Sequence, residues 1–417
     1  MLCYGAKKVS LPKSHQKKAR TAPDVCAMMH QSKAGPLAVK AGTPHSRVTV
    51  RITLPHDASR LDNLQVLRAV AALMVTIAHA AIVAQSFGLP VAGGAAGFYI
   101  TTAGAAGVDL FFVISGYIMA RYAARYARTG PAVALQFAAE RAARIYPPWW
   151  LALFLFWAVC SVALPGIVAA PGWDWWHSLS LFPDLHAPAG VWGLLLMVGW
   201  TLCFELYFYA LVALGLAFSA AWRWLVPGAV VALVLAGPLL PGPWARWIGN
   251  PLALEFVLGW AIAFIPATVA NREPWLPMAA GLLGVCAYLA GLSAGMSLQV
   301  EAPLILRGEA GWLRVVVWGL PAALCVLAAV QATSSGKRVW RPWVALGDAS
   351  YSLYLIHMTV LIALGALQAR AGWHSASASI IGGVVVVTLA SVLFHRWVEK
   401  PAYTRLRDAI RGLGSHR

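Results

Sequence analysis

Several ionisable side chains lie inside long apolar runs of this sequence, where each needs a physical reason, since a charge at mid-bilayer costs ~2.5–3.5 kcal/mol. Arg68 and His79 share one such run, and Asp109 lies in Gly107-Val108-Asp109-Leu110-Phe111-Phe112-Val113-Ile114-Ser115-Gly116. Glu205 ends Trp200-Thr201-Leu202-Cys203-Phe204-Glu205, Glu255 follows Pro251, and His357 follows Ser350-Tyr351-Ser352-Leu353-Tyr354. A neutral imidazole with an ordinary pKa near 6.5 is a suitable proton acceptor, and a carboxylate on the next helix would fix its tautomer and raise its basicity. His79 with Asp109 is therefore the expected base and its partner. Glu205 either braces that site or touches substrate. His357 and Glu255 read as hydrogen-bonded braces between helices.

Arg141 and Arg144 are neighbours on one helical turn in Glu140-Arg141-Ala142-Ala143-Arg144-Ile145-Tyr146-Pro147-Pro148. Their two guanidinium groups can reach one anion, although a plain positive flank would look the same. Arg68 tips the balance. Eleven residues of helix bring His79 back within about 20° of the Arg68 azimuth, roughly 16 Å along one face. A phosphate-bearing ligand on the arginine side and a base just beyond mid-membrane would then share a stripe.

The composition says which elements must position these groups. Of 417 residues, 60% are hydrophobic and 11% charged, whereas a soluble domain carries roughly a quarter charged. The expected fold is an all-α polytopic membrane protein of about ten transmembrane helices, near 64–86, 98–120, 148–165, 194–218, 224–240, 250–266, 276–293, 312–332, 346–368 and 377–397. Strand alternation is absent, which excludes a membrane barrel. Placing the N-terminus inside puts 27 Lys/Arg on the cytosolic side and four (Arg246, Arg307, Arg314, Arg370) outside. Both termini are thus expected in the cytosol. The net charge of +17 is explained by topology, and nucleic acid is not expected as a partner. The six cysteines form no C-x-x-C pair, so neither a disulfide framework nor a metal site is expected.

Residues 1–60 hold eleven Lys/Arg and no apolar run of signal-peptide type; they are expected to be a disordered basic cytosolic extension. Residues 61–400 are the membrane domain and 401–417 a short basic cytosolic tail. Trp149-Trp150 reads as part of an interfacial aromatic belt. Residues 166–190 read as the longest outer loop of the first five spans. Its Trp173, Asp174, Trp175, Trp176 and His177 suit either a carbohydrate or the membrane surface.

Taken in order along successive helices, these segments resemble the membrane-bound acyltransferase family 3, and within it the exopolysaccharide-type O-acetyltransferases. The likeness runs over about 61–405: Leu67-Arg68-Ala69 with His79, the Gly107–Gly116 segment, Arg141-x-x-Arg144 with Ile145 and Pro147, Trp200-Thr201-Leu202 with Glu205, Ser350-Tyr351-Ser352-Leu353-Tyr354, and His395-Arg396-Trp397-Val398-Glu399-Lys400-Pro401. The resemblance implies a ten-helix bacterial inner-membrane enzyme that moves an acyl group, usually acetyl from acetyl-CoA, to a hydroxyl of a surface or exported carbohydrate. It implies His79 as catalytic base and Arg68, Arg141 and Arg144 on the acyl-CoA side. The bilayer, the glycan and glycan-synthesis machinery would be its partners. Glu140 departs from the basic residue that relatives often carry there, and only about twenty residues follow the last span, leaving the membrane core to work alone. The competing expectation is a transporter or flippase using Asp109, Glu205 and His79 as a proton relay, but the two halves of the chain show no internal repeat. A passive anchor would leave the buried charges without a purpose.

Overall fold

Without water to satisfy backbone groups, an apolar run crosses a membrane as helix, and helix is what these runs form. The computed structural model describes residues 58–91, 95–186, 193–266, 275–293, 308, 311–332 and 340–414. The basic extension lies outside these residues up to position 57, as do Arg272, Arg307, Lys337 and Arg338 of the charge count. No strand is formed among the described residues. The chain is an all-α polytopic membrane protein.

The helices run in chain order as α1 (Ala58–Ser86), α2 (Ala95–Ala123), α3 (Pro131–Ala163), α4 (Pro165–Ala169), α5 (Trp175–Ser180), α6 (Trp200–Phe218), α7 (Trp222–Ala236), α8 (Pro243–Ile248), α9 (Ala253–Ile262) and α10 (Trp275–Ser293). After them come α11 (Gly311–Gln331), α12 (Arg341–Asp348), α13 (Ser350–Arg370), α14 (Ala376–Phe394) and α15 (Lys400–Gly414). Among the described residues eight helices are long and apolar enough to cross a membrane. Two of the ten expected spans fall short. The apolar part of α10 covers Trp275–Gly291, and α9 has only ten residues, about 15 Å of rise or half the hydrocarbon thickness.

The third span also departs from expectation, because α3 begins at Pro131 and continues straight through Pro147 and Pro148. Each proline removes one backbone hydrogen bond, a loss that neighbours can offset in a packed membrane helix. The carbonyls they free are those of Ala143 and Arg144; one residue on, the Tyr351 hydroxyl donates to the Ile145 carbonyl at 3.1 Å.

Two glycines set the centre of the bundle. A Cβ on Gly116 would lie 2.0 Å from the Phe256 carbonyl oxygen, and one on Gly259 1.8 Å from that of Val113. α2 and α9 therefore touch backbone to backbone, as small residues permit in membrane helices. Against this crossing Phe256 stacks between Phe112 and Phe208, each at 4.7 Å between centroids.

The segment between α3 and α6 is not a simple outer loop. Trp149, Trp150 and Tyr146 of α3 donate to the carbonyls of Ser178, Leu179 and Ser180 at 2.8, 2.9 and 2.8 Å. These donors lie partway along α3, within two turns of Arg144. Leu194, Leu195 and Leu196 follow, all buried. The segment folds back into the bundle, and Trp149 is fully buried by it rather than lying in an interfacial belt. Trp176, on the exposed side of α5, remains 70% accessible.

Candidate functional site

Helices α1, α2, α3, α6 and α13 enclose a cavity of about 130 Å³. Arg68, Arg141 and Arg144 line it with Glu205, and Thr201 and Tyr354 lie in its wall. The structure thus brings together four of the six residues singled out from sequence. Arg68 donates to Gln65 at 3.1 Å. Arg141 donates to the Tyr403 hydroxyl of α15 at 3.1 Å and lies 3.9 Å above the Tyr122 ring, while its Nε has no acceptor. Arg144 forms an ion pair with buried Glu399 at 2.7 Å. Glu205 accepts from Ser115 at 3.2 Å and from the Tyr209 hydroxyl. Three guanidinium groups face one cavity-lining carboxylate, and of the three only Arg144 is paired with Glu399, which also holds Ser352 and His395, so the chamber favours an anion.

Glu140, the acidic departure in the arginine motif, turns elsewhere. It accepts from Tyr122, from Gln136 at 3.1 Å and from Arg411 of α15 at 2.9 Å. Its charge ties α15 to α3 and is absent from the cavity lining.

His79 and Asp109 do not meet as the sequence reading expects. His79 Nδ1 lies 2.9 Å from the Val75 carbonyl oxygen and 3.3 Å from Nε2 of His357. Asp109 instead receives Arg314 of α11 through two bonds of 2.8 Å, from Nε to Oδ1 and from Nη2 to Oδ2, with both side chains buried. Arg314 also donates to the Ala105 carbonyl at 3.0 Å. The reason lies in the face of α2 that meets α1. A Cβ on Gly104 or Gly107 would strike Ala78 or the Ala71 carbonyl, so those glycines point at α1. Asp109 is two residues beyond Gly107, about 200° around the helix, and points away.

Arg314 is the residue that sequence reasoning misplaced. Counted there as an outer-loop charge, it is sealed within the bundle at the end of the first turn of α11, and a π-helical turn follows over Val315–Gly319. An unexplained Asp109 in a membrane helix was the available signal, because such an acid calls for a cation. Glu399 and Tyr403 were also missed as partners of the arginines. Tyr354 bridges the inner wall: its hydroxyl donates to the Val198 carbonyl at 2.7 Å and accepts from Thr201 at 2.8 Å. Among the described residues no group of three His, Cys, Asp or Glu is placed to hold a metal ion.

A bundle of membrane-crossing helices around a cationic chamber, with a histidine pair elsewhere in the bundle, is the frame of a multi-pass membrane protein. Its kind is fixed by comparison: residues 61–396 match the acyltransferase domain family, acyltransferase 3, and the chain belongs to it. It is a membrane acyltransferase. The chain is 33% identical over 325 residues to the exopolysaccharide production protein ExoZ of Rhizobium meliloti (strain 1021), an overlap of 73% of this chain and 92% of that one. It is 29% identical over 388 residues to the acyltransferase MdmB of Streptomyces mycarofaciens, covering 84% of this chain and 93% of the relative. No solved structure matches it.

Proposed function

We propose that this enzyme transfers an acetyl group from acetyl-CoA to a hydroxyl of a cell-surface or exported carbohydrate, with His79 as general base. The observation that carries the reading is the convergence of Arg68 from α1 with Arg141 and Arg144 from α3 on one cavity. A thioester donor bearing several phosphates fits that charge. The cavity is smaller than the roughly 300–1,000 Å³ that encloses a drug-sized molecule, so it would take one end of the donor and leave the rest at the arginine-bearing mouth. In the orientation that the positive-inside asymmetry favours, that mouth faces the cytosol, and the membrane we propose is a bacterial inner membrane. The word exopolysaccharide in the name of ExoZ supports a glycan acceptor.

The chemistry follows from acyl transfer. The acceptor oxygen attacks the thioester carbonyl as its proton passes to His79; the C–O bond forms, the C–S bond breaks, and the thiolate leaves to be protonated as CoA. Hydrogen-bond donors must meet the charge that develops on the carbonyl oxygen; Arg68, one turn from Gln65 and some three turns from His79, serves the phosphate end of the donor instead. Glu205, held by Ser115 and Tyr209, braces the wall opposite the arginines. A relay of the transporter type gains no support from the geometry, since Asp109, Glu205 and His79 each pair with different partners.

The test is to compare O-acetyl groups on surface glycan from a strain lacking the gene with those from its parent. Loss on deletion and return with the wild-type gene is the expected result; unchanged acetylation would refute the acceptor class. A cysteine at exposed Trp176 should react with a membrane-impermeant maleimide in intact cells, and reaction only after lysis would reverse the orientation.

A further inference from the structure

His79 sits against His357 of α13, with ring centroids 4.9 Å apart and planes inclined by 56°. His357 is fully buried. Its Nδ1 lies 2.6 Å from the Tyr354 carbonyl oxygen, and its Nε2 lies 3.3 Å from Nδ1 of His79. His79 Nδ1 is also 2.9 Å from the Val75 carbonyl. A carbonyl only accepts, and a neutral imidazole has one N–H and one bare nitrogen. Each Nδ1 must therefore carry the hydrogen. The Nε2 of His357 is then a bare acceptor, and the Nδ1–H of His79 is shared between it and Val75. One nitrogen remains without a proton in the pair's outer position: Nε2 of His79.

We propose that His357 is a positioning residue of the acyl transfer, holding His79, together with the Val75 carbonyl, in the ring orientation and tautomer whose Nε2 is free to take the acceptor's proton. This rests on the reading of His79 as base. When Nε2 accepts the proton, the Nδ1–H of the resulting imidazolium keeps both acceptors, so the positive charge is stabilised without a carboxylate beside it. A second histidine performs the orienting role that an acid fills in many catalytic triads. Asp109 is occupied by Arg314 and is not needed for it. The Tyr354 hydroxyl, tied to Val198 and Thr201, fixes the turn of α13 whose carbonyl sets the His357 tautomer.

The experiment uses membranes holding the full chain, [14C]acetyl-CoA, and surface polysaccharide extracted from a strain lacking the gene. His357→Leu should lower kcat on the order of a hundredfold, within the loss seen when a catalytic histidine is left in the wrong tautomer. The KM for acetyl-CoA should stay within about twofold, because the arginine cavity is untouched. His357→Gln, whose amide oxygen can accept from Nδ1–H, should recover about tenfold of the lost kcat. Wild-type kcat in the leucine variant, or a glutamine variant no better than leucine, would overturn the proposal. The wild-type protein gives a second readout that needs no variant at position 357. After selective [15N]histidine labelling, His79, assigned by its absence in His79→Ala, should show a protonated Nδ1 and a bare Nε2. The reverse tautomer overturns the proposal. An active His79→Ala would remove the base reading and this inference with it, whereas an inactive His79→Ala beside a fully active His357→Leu removes the inference alone.

Discussion

Two of the sets of charge within this bundle are partnered differently. Asp109 and Arg314 face each other through paired 2.8 Å bonds with no more than 3% of either side chain accessible. Arg68, Arg141 and Arg144 are held more loosely, by an amide, a phenol, ring faces and one carboxylate, around a cavity. A charge saturated by its countercharge fastens helices together and has little left for a ligand. A charge held by weaker neutral partners keeps its place and retains its affinity for an incoming anion. Residues of the same type thus divide by partner, with Arg144, paired to buried Glu399 at 2.7 Å, between the two sets.

The division is tested most severely at His79, whose partner is neutral. His79→Ala should lower transfer by on the order of 10²- to 10⁴-fold, the usual value of a general base, while membrane insertion and thermal stability remain intact. O-acetyl product at the wild-type rate would remove it from the reaction. The converse is expected at the saturated pair. Arg314→Met leaves a buried carboxylate without its cation, a change that costs about 3–5 kcal/mol, so the melting temperature in detergent should fall. The KM for acetyl-CoA in the surviving protein should not move. A donor KM that rose with Arg314→Met would place this pair in the chemistry after all.

Arg141→Ala is the intermediate case. A charge-assisted bond is worth about 1.5–3 kcal/mol, so the donor KM should rise roughly ten- to a hundredfold with a smaller loss of stability, read from initial rates over a range of acetyl-CoA concentrations. A flat KM would make Arg141 a topological charge. The smallest effect is expected outside the spans, at Asp174. Partial burial works to raise its pKa, but hydrogen bonds from the His177 backbone and ring outweigh it and hold the carboxyl below its usual range. A depressed pKa stabilises the folded form above the unfolded value near 4 and loses that contribution as pH falls through the folded value. The protection factor of the His177 amide, its exchange relative to an unstructured peptide at the same pH, should therefore fall below about pH 4, and Asp174→Asn should abolish that step.

Much of the architecture was legible because apolar length is a strong signal: helices lie near each of the ten expected spans. What could not be read was depth. Pro147 bounded the expected third span, yet α3 runs on through Pro147 and Pro148. The outer loop proved to fold inward because three donors on α3 meet its carbonyls. At the site, the arginine cluster was legible from i, i+3 spacing and a shared side. The partner of His79 was not, since it depends on α13 lying beside α1, a neighbour 278 positions away. The Asp109 assignment failed on rotation, and Gly104 and Gly107 already marked the face of α2 that meets α1.

Asp109 and Arg314 are 205 positions apart in the chain. At a synthesis rate of about 5–20 residues per second, α2 leaves the ribosome roughly 10–40 s before the guanidinium that will neutralise it. Through that interval the nascent protein carries an acidic side chain that insertion scales penalise by about 2.5–3.5 kcal/mol at mid-membrane. A protonated carboxyl, an insertase or the protein-lined translocon must shelter α2 meanwhile. The pair is therefore a delay written into biogenesis: truncations ending before Arg314 should leave α2 poorly retained in the bilayer, and slowing synthesis between the two residues should favour degradation over assembly.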